Sequence, residues 1–293
     1  RSQACESFDF QAFNQGDYYR AVDAKVSAES ISKVLYPNDN TYQGKRLRLG
    51  QQYFFVACSL RDIIRRFQKD NSDWAKFPDK VAIQLNDTHP SLGIAELMRI
   101  LLDDPDKRLE WDEAWAITTK CMAYTNHTLL PEALEKWPVV MFEQLLPRLL
   151  DIIYEINARF LEQVAMKWPG DTDRLKRMSI IEEDGERYVR MAYLAIVGSF
   201  SVNGVAALHS QLLVDGLFHD FFELWPEKFN NKTNGVTPRR WIAHANPKMT
   251  GLISSKLGEE WIHELGRIEA LREYADEEEH VEFHEAWREV KRE

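Results

Sequence analysis

The hydrophobic and polar positions of this chain repeat in one order: a short apolar run, a polar turn and a helical pattern. The clearest case starts at residues 80–85, whose apolar, β-favouring composition predicts a strand. The polar residues 86–89 follow, and residues 91–102 then carry the apolar spacing of a helix. The pattern recurs at residues 111–128, where a helix leads to an apolar run and a polar turn, and at residues 201–214, where a short strand or turn leads into a helix. This pattern predicts an α/β fold whose polar turns lie at the carboxyl ends of parallel strands, where ligands bind in open sheets.

Further helices are predicted outside these units. Residues 17–34 form a helix with a sparse apolar face, which suggests that it projects or packs on a partner chain. Residues 50–68 predict a strongly amphipathic helix, and residues 140–166 predict one long helix. The apolar residues 190–200 are compatible with either a helix or a strand.

Composition places the chain among globular proteins and excludes several functions. Of the net charge of −10, residues 259–293 carry −8, from thirteen acidic and five basic residues. The remainder is nearly neutral and has no basic stripe, so nucleic acid is not an expected partner. No apolar run approaches the length of a membrane span. Three unpatterned cysteines and no signal region predict a cytoplasmic protein, and the start without Met suggests a fragment.

Three turns share one chemistry of amides and hydroxyls, joined by an imidazole in the first two: residues 86–89, 125–128 and 231–234. Such groups pair directionally with hydroxyls, which both donate and accept, so together they predict a cleft for a sugar or another polar small molecule. The alternative is that they cap helices and satisfy one another in the core. No metal is expected, because the histidines of these turns lack ligand spacing. His280 and His284 are four residues apart, but they lie among acidic residues in an exposed tail. Phosphate-loop and nucleophile-elbow motifs are absent.

Residues 229–241 lie between the apolar body and the acidic tail and combine amides, a hydroxyl, two guanidiniums and an indole. Asn234-Gly235 favours backbone with positive φ, and Pro238 can begin a helix. The segment is either a ligand-contacting turn or a capped connection between domains.

Longer motifs at these positions resemble the α-glucan (glycogen, starch or maltodextrin) phosphorylases. They are KVAIQLNDTHP, AYTNHTLLPEALEKWP, RMSIIEE, SVNGVAALHS, ELWPEKFNNKTNGVTPRRW, FNQGDYYRAV and ISKVLYPNDNTYQGKRLRLGQQYFFV. The resemblance runs in consistent order from about residue 8 to residue 266 and covers roughly a third of a family chain.

The resemblance implies a GT-B fold of Rossmann-like halves with a large helical content. Residues 1–236 would be the later part of the N-terminal domain, and residues 237–293 the start of an incomplete, helical and acidic C-terminal domain. It further implies retaining phosphorolysis of a terminal α-1,4-linked glucose by inorganic phosphate, with pyridoxal 5′-phosphate as cofactor. Residues 17–34 resemble the helix that pairs subunits of the homodimer.

Family residues carry over to matching positions. His127 and Asn234 would hold the glucose 6-hydroxyl, and Asp39 and Asn40 would belong to the loop that gates the active site. Residues expected to border the sugar pocket are Val205, Asp87, His89 and Glu135. Trp241 would lie near the cofactor.

The segments that carry the family's cofactor lysine and substrate-phosphate cluster have no match here. The chain is therefore expected to supply one wall of the glucose site and to be inactive alone. The alternatives are a catalytically silent glucan-binding domain and, less well supported, half of a nucleotide-sugar transferase.

Overall fold

A four-stranded parallel sheet organises the first part of the chain, and helices cover it. The computed structural model describes residues 8–105 and 108–292; Cys5 lies outside these residues. The strands are β1 Ile83–Asn86, β2 Met122–Thr125, β3 Lys136–Pro138, β4 Ile181–Glu182, β5 Tyr188–Arg190, β6 Ser201–Gly204 and β7 Phe229–Asn231. The parallel sheet has the order β1-β2-β6-β7, and a small antiparallel sheet has the order β3-β5-β4. The predicted mixed α/β class with a parallel sheet is confirmed.

Helices provide most of the regular structure. In chain order they are α1 Phe10–Asn14, α2 Tyr18–Lys33, α3 Tyr42–Phe67, α4 Phe77–Lys80, α5 Leu92–Asp103, α6 Trp111–Cys121, α7 Val139–Leu145, α8 Pro147–Lys167, α9 Thr172–Met178, α10 Met191–Val197, α11 Ala207–Leu212, α12 His219–Leu224, α13 Pro247–Leu257 and α14 Val281–Arg292. None of the helices in the described part of the chain is long and apolar enough to cross a membrane.

Several helix boundaries have a visible cause. The Asp17 carboxylate accepts the Arg20 N–H at 3.1 Å and begins α2, close to the predicted residues 17–34. Thr41 caps α3, which begins eight residues before the predicted residues 50–68 because the cap lies in the preceding turn.

The prediction of one long helix over residues 140–166 was wrong. Two helices, α7 and α8, meet at Leu146, whose φ of −139° and ψ of 50° are not helical. Pro147 causes the break, because it has no N–H to donate and its ring disfavours helical backbone at the residue before it. The ambiguous residues 190–200 contain the end of β5 followed by α10.

The main core lies between the parallel sheet and its helices. Helix α5 is at its centre and packs against α3, α6, α8 and α10. Leu92, Ile94, Leu97 and Leu101 of this helix are fully buried. Even Glu96 is only 2% exposed, and its carboxylate is neutralised by two hydrogen bonds from the Arg99 guanidinium at 2.8 Å. This packing fixes the sheet whose carboxyl edge carries the polar turns.

The chain separates into two compact units, Arg1–Thr233 and Asn234–Glu293. The second unit has its own small core of Met249, Ile253 and Trp261, and the Trp261 indole N–H donates to Ser254 Oγ at 3.0 Å. The assignment of residues 1–236 and 237–293 to two domains of a larger protein stays a prediction.

Candidate functional site

Polar turns follow β1, β2, β6 and β7 at the same edge of the parallel sheet. The register pairs Asn86 with Thr125 and Asn203 with Asn230, so the strands end level with one another. The turns predicted from the sequence as residues 86–89 and 125–128 therefore lie side by side.

The imidazole of His127 is held by the end of the neighbouring strand. Its Nε2 lies 2.6 Å from Asn86 Oδ1. Because an amide oxygen can only accept, Nε2 carries the proton, and in the neutral imidazole Nδ1 is left as an acceptor. His127 is exposed, in contrast to the buried residues beside it. The ring is thus oriented by a protein group while its other nitrogen remains an acceptor.

Asp87 joins the two turns through its carboxylate. Its backbone has a φ of 62°, a left-handed conformation that is uncommon for residues other than glycine. Its N–H donates to Thr125 O at 2.9 Å, and its carboxylate accepts the Thr88 N–H at 2.7 Å and the Thr128 hydroxyl at 3.2 Å. These bonds stabilise a backbone conformation that would otherwise cost free energy. The carboxylate therefore ties the turn after β1 to the turn after β2.

A layer of buried amides supports the turn after β2. Asn126 is fully buried; its amide donates to Tyr124 Oη at 2.9 Å and accepts the Thr128 N–H at 3.0 Å. Burial raises the pKa of Tyr124, with a smaller opposing effect from Asn126, so the phenol stays neutral. The Thr125 hydroxyl donates to Asn203 Oδ1 at 2.8 Å and ties β2 to β6. These amide groups make hydrogen bonds within the core rather than to a ligand. This is the alternative that the sequence left open for them.

Glu135 connects this edge to helix α3. Gln52 donates to its carboxylate at 2.8 Å, and Arg48 Nε lies 3.9 Å from the same oxygen. Arg48 also lies 3.7 Å from a carboxylate oxygen of the exposed Asp39. The guanidinium therefore bridges two predicted site residues that are almost a hundred positions apart in sequence. Asn40 beside Asp39 is exposed and donates its N–H to Asn38 Oδ1 at 3.0 Å.

His209 fixes the turn after β6, and the sequence analysis missed it. The Val205 N–H donates to His209 Nδ1 at 3.1 Å, so a neutral His209 carries its proton on Nε2. That Nε2 is buried and has no hydrogen-bond partner among the described residues. Burial lowers the pKa of His209; His127 lowers it further, and Asp87 opposes both effects. His209 is therefore near enough to His127 and Asp87, in the turns after β2 and β1, for both to affect its pKa.

Other predicted residues are not drawn into this network. His89 is exposed, and no side-chain bond to it is described. Asn234 and Trp241 belong to the second unit, where Trp241 is 64% exposed. Besides His209, the sequence analysis missed Arg48 and Gln52. A polar residue on an otherwise apolar helix face was the only available signal for Gln52 and Arg48.

The arrangement suits recognition of hydroxyl groups by amides, carboxylates and imidazoles around a rigid strand edge. No group of three or more His, Cys, Asp or Glu side chains in residues 8–105 and 108–292 is placed to hold a metal ion.

Comparisons with known proteins give the family. The model of the carbohydrate phosphorylase family matches residues 1–293. Glycogen phosphorylase of Synechocystis sp. is 58% identical over 293 residues, which are all of this chain and 34% of that protein. The muscle form of glycogen phosphorylase of Bos taurus is 54% identical over 94% of this chain and 34% of its own length. Glycogen phosphorylase 2 of Dictyostelium discoideum is 53% identical over 99% of this chain and 29% of its own length.

These matches and the parallel sheet define an α/β chain whose relatives are glycogen phosphorylases. The chain belongs to the carbohydrate phosphorylase family. It spans about a third of the length of the curated relatives it matches. The resemblance to glycogen phosphorylases, which are GT-B proteins, is confirmed.

Proposed function

We propose that this chain is part of a glucan phosphorylase and forms one wall of its glucose site. The reaction is retaining phosphorolysis of a terminal α-1,4-linked glucose by inorganic phosphate, which yields glucose 1-phosphate. The observation that carries the proposal is the contact between His127 and Asn86, together with the bond from the Thr128 hydroxyl to the Asp87 carboxylate. It joins two turns of the family motifs at the strand edge where α/β sheets bind ligands.

The bonding of His127 indicates its role. With Nε2–H donating to Asn86, Nδ1 can accept a hydrogen bond from a sugar hydroxyl such as the 6-hydroxyl. Asn234 is proposed to share that hydroxyl, and Val205 to line the sugar. Asp87, His89 and Glu135 are proposed to border the pocket. Because the imidazole is already oriented, binding needs little further ordering of this side chain.

A second set of residues is proposed to control access. Asp39 and Asn40 belong to the gating segment, and Arg48 links Asp39 to Glu135. Helix α2 is proposed to pair subunits in a homodimer, since Tyr19 and Val26 on it are exposed. The proposed location of the protein is the cytoplasm, and its partners are α-1,4-glucan and inorganic phosphate.

The family cofactor, pyridoxal 5′-phosphate, would supply the phosphate group that moves protons in the reaction. The second unit by itself does not fit it. Trp241 is 64% exposed in that unit. Among the described residues, the buried side-chain polar atoms that lack a hydrogen-bond partner all belong to the first unit. We therefore expect no covalently bound cofactor on this chain. The alternative is a catalytically silent glucan-binding domain.

The experiment is a titration of the chain with maltoheptaose, followed by nuclear magnetic resonance of its histidine rings. The proposal expects saturable shifts of the His127 ring, which are lost in His127→Ala and kept in His280→Ala in the acidic tail. Phosphorolysis is then assayed in the full-length protein that carries the chain. Production of α-glucose 1-phosphate supports the phosphorylase proposal. Glucan binding without phosphorolysis in that protein supports the silent domain, and absence of binding at His127 contradicts both.

A further inference from the structure

A cavity of about 570 Å³ lies at the amino ends of β6 and β7, on the opposite edge of the sheet from the candidate site. Helices α6 and α8 form its sides, and the segments before β6 and β7 form its floor. Its volume is in the range of small-molecule pockets. The proposed glucose site does not use it.

Lys228 places a positive charge in this cavity. Its ammonium makes two long hydrogen bonds, to Ile196 O at 3.3 Å and Val197 O at 3.4 Å, and lies 3.8 Å from the centre of the Trp225 ring. Among the described residues it forms no ion pair. The two carbonyls at the end of α10 and the ring only partly replace the water that burial removes. An anion in the cavity would compensate this charge.

Ser199 supplies a second polar group. Its side chain is fully buried and lines the cavity, and its hydroxyl has no hydrogen-bond partner among the described residues. An unpartnered buried hydroxyl is unusual and costs free energy, so such a group in a cavity wall points to a ligand that completes it. A carboxylate accepts from a hydroxyl and from an ammonium at the same time.

Aromatic side chains form part of the remaining walls. Trp111, Trp115, Trp225 and Phe160 line the cavity, and the rings of Phe160 and Trp225 lie 5.6 Å apart. Such walls suit a flat aromatic body, which can stack on them or meet their edges. The other charged residues of the lining carry a formal net charge of −1, since Asp112, Glu162 and Glu227 outnumber Lys120 and Arg159. The lining therefore favours an anion with one charge over a phosphate or another multiply charged group.

We propose that this cavity binds an aromatic monocarboxylate, with its carboxylate at Lys228 and Ser199 and its ring among the tryptophans. The proposal is independent of the glucose site. It assigns to this edge of the sheet a ligand class different from both substrates of the proposed reaction.

The test measures binding of indole-3-acetate to the 293-residue chain by ligand-observed nuclear magnetic resonance at pH 7. Indole-3-acetamide is the matched control, since it has the same ring and shape without the charge. We expect saturable binding of the acid and about tenfold or more weaker binding of the amide. Equal affinity for the two probes, or no saturable binding of the acid, would overturn the proposal.

Two variants locate the binding. Ser199→Ala should weaken the binding of indole-3-acetate severalfold. The melting temperature should stay unchanged or rise, because an unpartnered hydroxyl is removed. Lys228→Met should abolish the preference for the acid over the amide. The Ser199→Ala result keeps the test decisive if Lys228→Met folds poorly. The proposal would be contradicted if Ser199→Ala bound the acid as tightly as the native chain and Lys228→Met still preferred the acid over the amide. Those two results would show that the probe binds elsewhere.

Discussion

The backbone N–H of Val205 donates to Nδ1 of His209 at 3.1 Å, and this bond sets both a turn and a tautomer. It closes the segment after β6 onto the first turn of α11. It also places the proton of a neutral His209 on Nε2, which is buried without a partner among the described residues. His209 therefore acts as a positioning residue for the strand edge.

Removing the acceptor should destabilise the fold. His209→Leu leaves the Val205 N–H without its partner, and we expect a loss of about 1–3 kcal/mol in the free energy of unfolding. His209→Asn is the matched control, because its amide oxygen takes the position of Nδ1 and should recover much of the loss. Urea denaturation monitored by circular dichroism measures both. Equal losses in the two variants would show that the hydrogen bond is not the cause.

The same histidine should make stability depend on pH. Burial lowers the pKa of His209 in the folded state, and His127 lowers it further against the opposing effect of Asp87. The unfolded chain therefore binds this proton first as the pH falls below about 6.5, the ordinary value for histidine. Stability contributed by the neutral form is complete above that pH and decreases as the pH falls toward the folded-state pKa. Urea midpoints between pH 7 and pH 5 should fall more steeply for the native chain than for His209→Asn, and parallel curves would contradict this assignment.

Gly204 should not tolerate a methyl group. A Cβ at this position would lie 2.4 Å from Ser210 Oγ, 2.6 Å from His209 Nδ1 and 2.8 Å from Ser210 Cα. The last contact is to backbone, so a side-chain rotation cannot relieve it. We expect Gly204→Ala to cost about 1–3 kcal/mol of stability and to disturb the turn after β6. Thermal unfolding measures the cost.

Gly50 provides the control for that substitution. It lies within α3, and a Cβ there meets no atom within 4 Å. Because alanine has the better helix propensity, Gly50→Ala should stabilise the chain by about 0.5–1 kcal/mol. The steric explanation would be wrong if both substitutions stabilised the chain or if both destabilised it.

His127→Ala tests the proposed sugar contact. In the full-length protein that carries this chain, we expect kcat/KM for phosphorolysis to fall roughly 30-fold. This equals a loss of about 2 kcal/mol in transition-state stabilisation, on the scale of one lost buried hydrogen bond. Asn86→Ala leaves the imidazole in place but removes the acceptor that orients it at 2.6 Å. Its effect should be in the same direction and smaller. Unchanged turnover in His127→Ala would remove this residue from the proposed site.

The sequence predicted the strand-edge turns but not the groups that position them. The carboxyl edge with Asp87 and His127 follows from strand, turn and helix periods, which are local properties. The contact of Glu135 with Gln52 joins residues 83 positions apart, and no local pattern encodes it. His209 lies on the helix after the turn and acts on backbone, so its residue type alone did not reveal it. The break at Leu146 was local and readable, because Pro147 follows it.

Lys228 should make stability rise in alkaline solution. Burial, opposed by Glu227, lowers its pKa from 10.5 to about 8. Between these two values the unfolded chain holds the proton and the folded chain releases it, so the free energy of unfolding increases with pH in this window. Other groups titrate there too, so the measurable quantity is the difference between the native chain and Lys228→Met. We expect the native chain to gain up to about 3 kcal/mol relative to the variant between pH 8 and pH 10.5. Urea midpoints at intervals across this range measure the gain, and a constant difference would show that Lys228 keeps its ordinary affinity for the proton.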